Sequence, residues 1–392
     1  MSQSSFTALG HHREVKQTRS RVLTALASAL LLTAPLAAAQ SAPAAPANRT
    51  SSTQAQNAAA RVPAEVYQKN RAAAFRIEQR DDNGELDGIG TGYFINKDGL
   101  ALTAYHVVFG AKNLRARTLS GEVLPVKVVG YDDGNDIAVV QVEVKKDVPF
   151  LPLAAEAPKT GDAALAIGNG GGRFLRAEYG NLQRLSVEAG RADFPSGTFE
   201  LDAQLVPGDS GGPIINAKGE AIGVVSYIQV GSASGQGARS SARGMQIISY
   251  AVPVSRESTL VAALTKGEKR DAPVIGIRGG TDLRDEAFVP TGLGPKPGVV
   301  FFEVTPGSPA AKAGLRPIET LQQPRSPNDY PKLRGDVILA VDGKSVRDFT
   351  DLLTQVRARK VGDTVTLTVQ RGEETVQLKM TLEGRAQVQM NR

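Results

Sequence analysis

The chain has 392 residues, 41% of them hydrophobic and 22% charged, which fits two or three soluble globular domains able to bury cores of their own. Its formal net charge is +6, part of it concentrated near the N-terminus, and the surplus left elsewhere is too small to argue for a nucleic-acid partner. There is no cysteine and there are three histidines, so thiol nucleophiles and thiolate metal sites are excluded, and neither a metal nor a cofactor is expected.

Residues 1–21 carry Arg13, Lys16, Arg19 and Arg21 against Glu14 alone; an apolar run, Val22 to Leu36, follows, and Ala37-Ala38-Ala39 precedes Gln40. That order predicts a signal peptide over residues 1–39 and an exported, periplasmic or otherwise extracytoplasmic protein. The apolar run is shorter than the about 20 residues of a spanning helix and contains Pro35, so a retained membrane anchor is the second reading. Residues 40–61 are rich in Ala, Pro, Ser and Gln, lack any apolar period, and read as a flexible linker.

Beyond the leader one histidine remains, His106, in Leu102-Thr103-Ala104-Tyr105-His106-Val107-Val108, where a short strand passes into a loop or helical turn. Downstream, Asn135-Asp136 precedes the buried-strand pattern Ile137-Ala138-Val139-Val140, which places an acid at a strand mouth, behind Asp132-Asp133, read as a polar turn. Gly168-Asn169-Gly170-Gly171-Gly172 has no Lys-Ser/Thr of a phosphate loop and reads as a substrate-side loop, as does the Gly/Ser/Arg-rich stretch 231–244. Between these lies Pro207-Gly208-Asp209-Ser210-Gly211-Gly212-Pro213, a turn whose glycines leave one hydroxyl and its neighbouring amides open. A serine hydroxyl is a weak nucleophile at neutral pH and needs a base that is itself oriented by an acid. His106, Asp136 and Ser210 are therefore the candidate base, orienting acid and nucleophile, and their chain order is that of chymotrypsin-type proteases. The backbone N–H groups of Gly208 and Ser210 are the candidate oxyanion donors.

With these residues quoted, the chain resembles the HtrA (Deg) family of extracytoplasmic serine proteases over nearly all of its length after the leader. Gly88-Ile89-Gly90-Thr91-Gly92-Tyr93-Phe94-Ile95 is similar to the family's glycine-rich strand ahead of the histidine, Asp202-Ala203 to its nucleophile approach, and Ser249-Tyr250-Ala251-Val252-Pro253-Val254 to the strand that closes the protease domain. The resemblance implies a mainly β protein: a chymotrypsin-like double β-barrel over 62–265, a connector at 266–271, one PDZ domain over 272–385 and a tail at 386–392. It further implies a cofactor-independent, ATP-independent endopeptidase acting on unfolded or damaged polypeptides, assembled as a homotrimer or a higher multiple. Tyr67 and Phe75 are candidates for the trimer contact and for the core alike. The specificity pocket is expected between Val225, Ser226, Tyr227, Tyr250 and Ala251; with no Asp or Lys there, it suits small or medium aliphatic side chains. Two positions depart from the pattern: Asp209 stands where the family usually carries Asn, and Thr103-Ala104 where it carries Thr-Asn. The first leaves open how the oxyanion loop is held.

In the C-terminal third, Ser308-Pro309 before Ala310-Ala311 and Gly314 predict a short capped helix, and Asp348 caps a second with Phe349, Leu352, Leu353 and Val356 on one face. Strands are predicted at 337–341, 364–370 and 375–382. This order resembles the circularly permuted PDZ domain of the family, and Val274-Ile275-Gly276-Ile277 its carboxylate-binding loop. The amides of Ile275, Gly276 and Ile277 would receive a peptide's terminal carboxylate, with the helix from Phe349 as the far wall of the groove. Ile275 and Ile277 fit equally well as core residues beside a tight turn. Residues 316–334, with four prolines, form an insertion expected at the surface. Two other readings stand beside the general protease: a PDZ-bearing chaperone or sensor with a latent protease fold, and a membrane-anchored regulatory protease with one target.

Overall fold

The computed structural model describes residues 61–390 apart from 188–193, 233–244, 292, 295 and 323–329. The expected signal peptide, nearly all of the linker, most of the 231–244 loop and the end of the tail lie outside the described residues.

Six strands form the first barrel: β1 (Ala74–Arg80), β2 (Leu86–Phe94), β3 (Leu100–Thr103), β4 (Asn113–Arg117), β5 (Val123–Asp132) and β6 (Ile137–Val142). They run in the order β5-β4-β1-β2-β3-β6, and pairing of β5 with β6 closes the ring. The unbroken apolar run Ile137-Ala138-Val139-Val140 is buried throughout, as a strand packed on both faces must be. Phe75 packs on Phe94 with ring centroids 4.7 Å apart, so Phe75 belongs to the core, while Tyr67 donates its hydroxyl to the Leu175 carbonyl at 2.7 Å.

The second barrel closes from β7 (Ala163–Gly168), β8 (Arg176–Val187), β9 (Thr198–Leu201), β10 (Pro213–Ile215), β11 (Ala221–Ser232) and β12 (Met245–Pro253), in the order β10-β11-β12-β9-β8-β7. Leu182, Leu201, Leu205, Ile214 and Ile222 fill it. Missing side chains set one contact that positions the site. A Cβ on Gly90 of β2 would lie 2.4 Å from Val107, so glycine there lets the helical turn Tyr105–Val108, which carries His106, sit directly on the strand.

In the connector, Lys269–Arg270 forms β13, pairing in parallel with Tyr131 and Asp132 of β5, so this segment is docked on the first barrel. The reason lies in Asp132 and Asp133, which are 5% exposed each and not a solvated turn: Arg270 pairs with Asp132, and Asp133 accepts from the Ala272 amide. Charges that read as solvated in sequence instead fasten two segments together.

The C-terminal module is a sheet of short strands with the two predicted helices. Pro309–Lys312 is capped by Ser308, and Phe349–Arg357 by Asp348, whose carboxylate accepts from the Asp351 amide at 2.8 Å. Strands at Asp336–Val341, Thr364–Arg371 and Glu374–Thr381 match the sequence reading to within a residue at each end. The insertion is more ordered than a loop at its base, since Glu319–Gln322 pairs with Lys332–Arg334 as a hairpin.

Glu78, in the middle of β1, is 1% exposed and accepts hydrogen bonds from Arg76, Arg80 and Arg117. Burial pushes its carboxyl up, but the three guanidinium groups outweigh it and hold it down to about 2. A depressed carboxylate contributes stability that is present above the unfolded value and lost as pH falls toward the folded one. Glu78→Gln is expected to cost about 3 kcal/mol at pH 7, with the gap to the parent closing between roughly pH 5 and pH 2 in thermal unfolding. A gap independent of pH would contradict the assignment.

Candidate active site

His106, Asp136 and Ser210 come together at the seam between the barrels, lining one cleft of about 370 Å³. His106 sits in the helical turn after β3, Asp136 just before β6, and Ser210 in the turn before β10. Asp136 takes φ 51°, a left-handed conformation uncommon for a residue with a side chain, and the neighbouring contacts explain it. Its carbonyl accepts from the Tyr105 amide and its carboxylate from the His106 amide at 2.9 Å, so the acid is tied to the backbone of the turn it must orient.

The imidazole Nδ1 lies 2.9 Å and 3.0 Å from the two carboxylate oxygens of Asp136. An ionised carboxylate only accepts, so the proton is on Nδ1 and Nε2 is left with a lone pair for a general base. Ser226 donates its hydroxyl to Asp136 Oδ2 at 2.5 Å. The sequence reading placed Ser226 in the pocket wall; at 1% exposed it also orients the acid from β11, a role no motif marks. The Ser210 hydroxyl donates to the Ser226 carbonyl at 3.4 Å.

The turn carrying Ser210 is held from both barrels. Thr91 of β2 donates its amide to the Ser210 carbonyl and its hydroxyl to the Gly208 carbonyl, each at 2.8 Å, and that same hydroxyl accepts from the Asn169 amide and side chain. From the other side, the Gly211 amide donates to Val225 of β11 at 2.7 Å. Asp209 N donates to Val206 O with Pro207 and Gly208 between them, Gly208 at φ 104°, the pattern of a type II turn. Among the described residues the Gly208 and Ser210 amides have no protein acceptor, which leaves both for a substrate oxygen.

The wall beyond Ser210 is mostly apolar and differs in part from expectation. Val225, Ser226 and Tyr227 line the cleft with Pro195, Leu205, Val206 and Ile228. Ala251 does not: it is fully buried in the second barrel's core. Tyr250 also lies behind the wall, stacked on Tyr227 at 4.5 Å, while Phe194 stacks on the other face of Tyr227 at 4.3 Å. Arg385, from the helix after the last strand, reaches the cleft edge, pairing with Asp133 at 3.2 Å and lying over the Phe109 ring. Burial pushes the Asp133 carboxyl up against the pull of Arg385 and Arg357.

In the C-terminal module, the Ile275 carbonyl accepts from Ala310 at 2.8 Å and the Gly276 carbonyl from Thr305 at 2.9 Å. A trans peptide sets N–H opposite C=O, so the Gly276 amide faces away from Ala310 of the short helix and the Ile277 amide away from Thr305. Ile275 is 5% exposed and packs in the module's core, and Gly276 takes φ 87°, as a core residue beside a tight turn does. Ile277 opens the strand Ile277–Arg278, which pairs with Glu303–Val304. On the facing helix, Leu352 and Val356 are 1% and 3% exposed and belong to the core, so they do not line a groove; Phe349 and Leu353 are half-buried. The apolar face of that helix covers the sheet, which is why its i, i+3, i+4, i+7 pattern exists.

Residues 90–224 match the trypsin-like peptidase domain and residues 273–382 the PDZ domain. HhoB of Synechocystis sp. is 33% identical over 298 residues, 73% of this chain and 64% of that protein. The periplasmic serine endoprotease DegP of Escherichia coli is 27% identical over 305 residues, 77% of this chain and 58% of DegP, so the chain spans less than two thirds of either relative. A solved structure of the HtrA-type protease AlgW with a decapeptide covers 82% of this chain and 98% of its own, at 23% identity and TM-score 0.47. Trypsin-like domain first and one PDZ domain after it, the chain belongs to the HtrA (Deg) family of serine proteases.

Proposed function

We propose that the protein is an exported serine endopeptidase that hydrolyses unfolded or damaged polypeptides through an acyl-enzyme, with its PDZ domain capturing C-terminal peptides. The observation that carries this reading is the His106 Nδ1 contact with Asp136, facing Ser210 across one cleft. In the first step Ser210 Oγ turns from the Ser226 carbonyl, passes its proton to His106 Nε2 and adds to the scissile carbonyl. The oxygen gains negative charge and is received by the Gly208 and Ser210 amides. The imidazolium, stabilised by Asp136, then gives its proton to the leaving amine, and water repeats the sequence to release the acid.

The apolar wall from Val225 to Ile228 supports small or medium aliphatic residues before the scissile bond. Similarity to a periplasmic endoprotease supports an extracytoplasmic location, and the family supports assembly into trimers or multiples of them. The latent-protease reading has one observation on its side, the Ser210 hydroxyl resting on Ser226 rather than on the imidazole. Turnover separates the two.

Purified residues 40–392 are expected to cleave casein and their Ser210→Ala version to be inactive; equal rates would end the endopeptidase reading. Asp136→Asn should lower turnover by about 10⁴-fold by reversing the imidazole tautomer. Ser226→Ala removes one hydrogen bond to a charged group, so turnover should fall by about ten- to a hundredfold. No loss in Ser226→Ala would remove it from the orienting network.

A further inference from the structure

Asp209 lies between Gly208 and Ser210, the two candidate oxyanion donors, and it is 2% exposed. A carboxylate so deeply buried is costly unless it is paired, and its partners therefore decide where the turn can rest. Its Oδ1 accepts from the Gly170 amide at 2.7 Å, and its Oδ2 from the Val206 amide at 3.0 Å and from Arg176 Nη2 at 2.5 Å. Two glycines make the space. A Cβ on Gly168 would lie 2.2 Å from Oδ1 and one on Gly170 2.3 Å from Oδ2, so the Gly168–Gly170 segment is shaped around this one carboxylate.

Arg176 is not a surface arginine that happens to reach inward. Its side chain is 9% exposed, it pairs also with Glu178, and its Nε has no acceptor among the described residues. The side chain is held there by two carboxylates and the Gln204 carbonyl, which accepts from Nη2 at 3.4 Å. Arg176 opens β8 and is in register with Gly168 of β7, so the cation is fixed to the wall of the closed second barrel.

We infer that Arg176 is a positioning residue for the reaction: its guanidinium neutralises Asp209 inside the protein and thereby holds Gly208-Asp209-Ser210 with both amides aimed at the cleft. This rests on the endopeptidase reading above and adds to it that the oxyanion site is set by an ion pair internal to the chain, complete in the resting protein. Without the cation, an unpaired carboxylate beside Ser210 moves toward water and carries the 207–208 peptide with it. The Gly208 amide then leaves the oxyanion position, while His106, Asp136 and the apolar wall keep their own supports.

The test uses purified residues 40–392 and fluorescently labelled casein, comparing the parent with Arg176→Met, Asp209→Asn and the double variant. Arg176→Met should lower kcat by about a hundredfold with KM within about threefold, because the loss falls on the transition state. Asp209→Asn should lose less, since Arg176 keeps Glu178 as a partner. The double variant removes both buried charges and should return to within about tenfold of the parent, the non-additivity of a direct pair. An Arg176→Met protein with parental kcat would overturn the inference, and so would a double variant no better than Arg176→Met, since a packing role cannot be rescued by changing residue 209. If Arg176→Met does not fold, a folded double variant decides alone: kcat within about tenfold supports the pair, and inactivity sinks it. A parent that fails to cleave casein would instead end the endopeptidase reading itself.

Discussion

Everything at this site depends on a seam. The candidate base and acid, His106 and Asp136, belong to the first barrel and the candidate nucleophile, Ser210, to the second, so a shift of one barrel against the other by about 1 Å would separate groups that the proposed reaction needs within hydrogen-bond reach. Thr91 closes the seam at the point of chemistry: from β2 it holds the carbonyls of Gly208 and Ser210 and receives the side chain of Asn169. Its own carbonyl accepts from Thr103, two residues before the helical turn that bears His106. One residue thus joins the base's strand, the nucleophile's turn and the Gly168–Gly172 loop through bonds made in the dry interior, where each is worth most and is most costly to break.

A second regularity is how the chain fixes loops without a single disulfide. Buried carboxylates anchor the chain, and an arginine answers each of these: Glu78 with three arginines, Asp132 with Arg270, Asp133 with Arg385, Asp209 with Arg176, and Asp336, fully buried, with Arg371, whose Nε and Nη2 donate to its two carboxylate oxygens. The planar guanidinium suits this use because it offers several donors in one fixed fork and stays charged at any working pH. Such pairs are weak sources of net stability but costly to break by halves, so they specify position more than they add strength. Two of them, at Asp132 and Asp133, bring the connector and the last helix against the first barrel beside the cleft.

The three candidate residues were legible because chemistry leaves few options: with one histidine beyond residue 12, the candidate base was named by elimination and the serine by the shape its glycine-rich turn must have. Strands of the C-terminal module were legible to within a residue at each end, and its two helices from their caps. What stayed hidden are contacts between residues far apart in the chain. Thr91 looks like any strand threonine, yet its partner Gly208 is 117 residues away. Arg176 and the 266–271 segment look solvated because charge in a sequence usually is, and only the fold shows which carboxylate each one meets. The pattern Phe349, Leu352, Leu353, Val356 announced a helix face correctly but not what it faces; the sheet claims Leu352 and Val356 before any ligand can.

The central claim is that nucleophile, base and oxyanion amides are assembled in the resting protein. Titration of Ser210 with a fluorophosphonate, in the absence of any peptide for the PDZ domain, measures this most directly, since only a serine with a working base and oxyanion site is phosphonylated rapidly. The account predicts one label per chain, on Ser210, with a rate that added C-terminal peptide leaves unchanged. Labelling that begins only once such a peptide is supplied would contradict it.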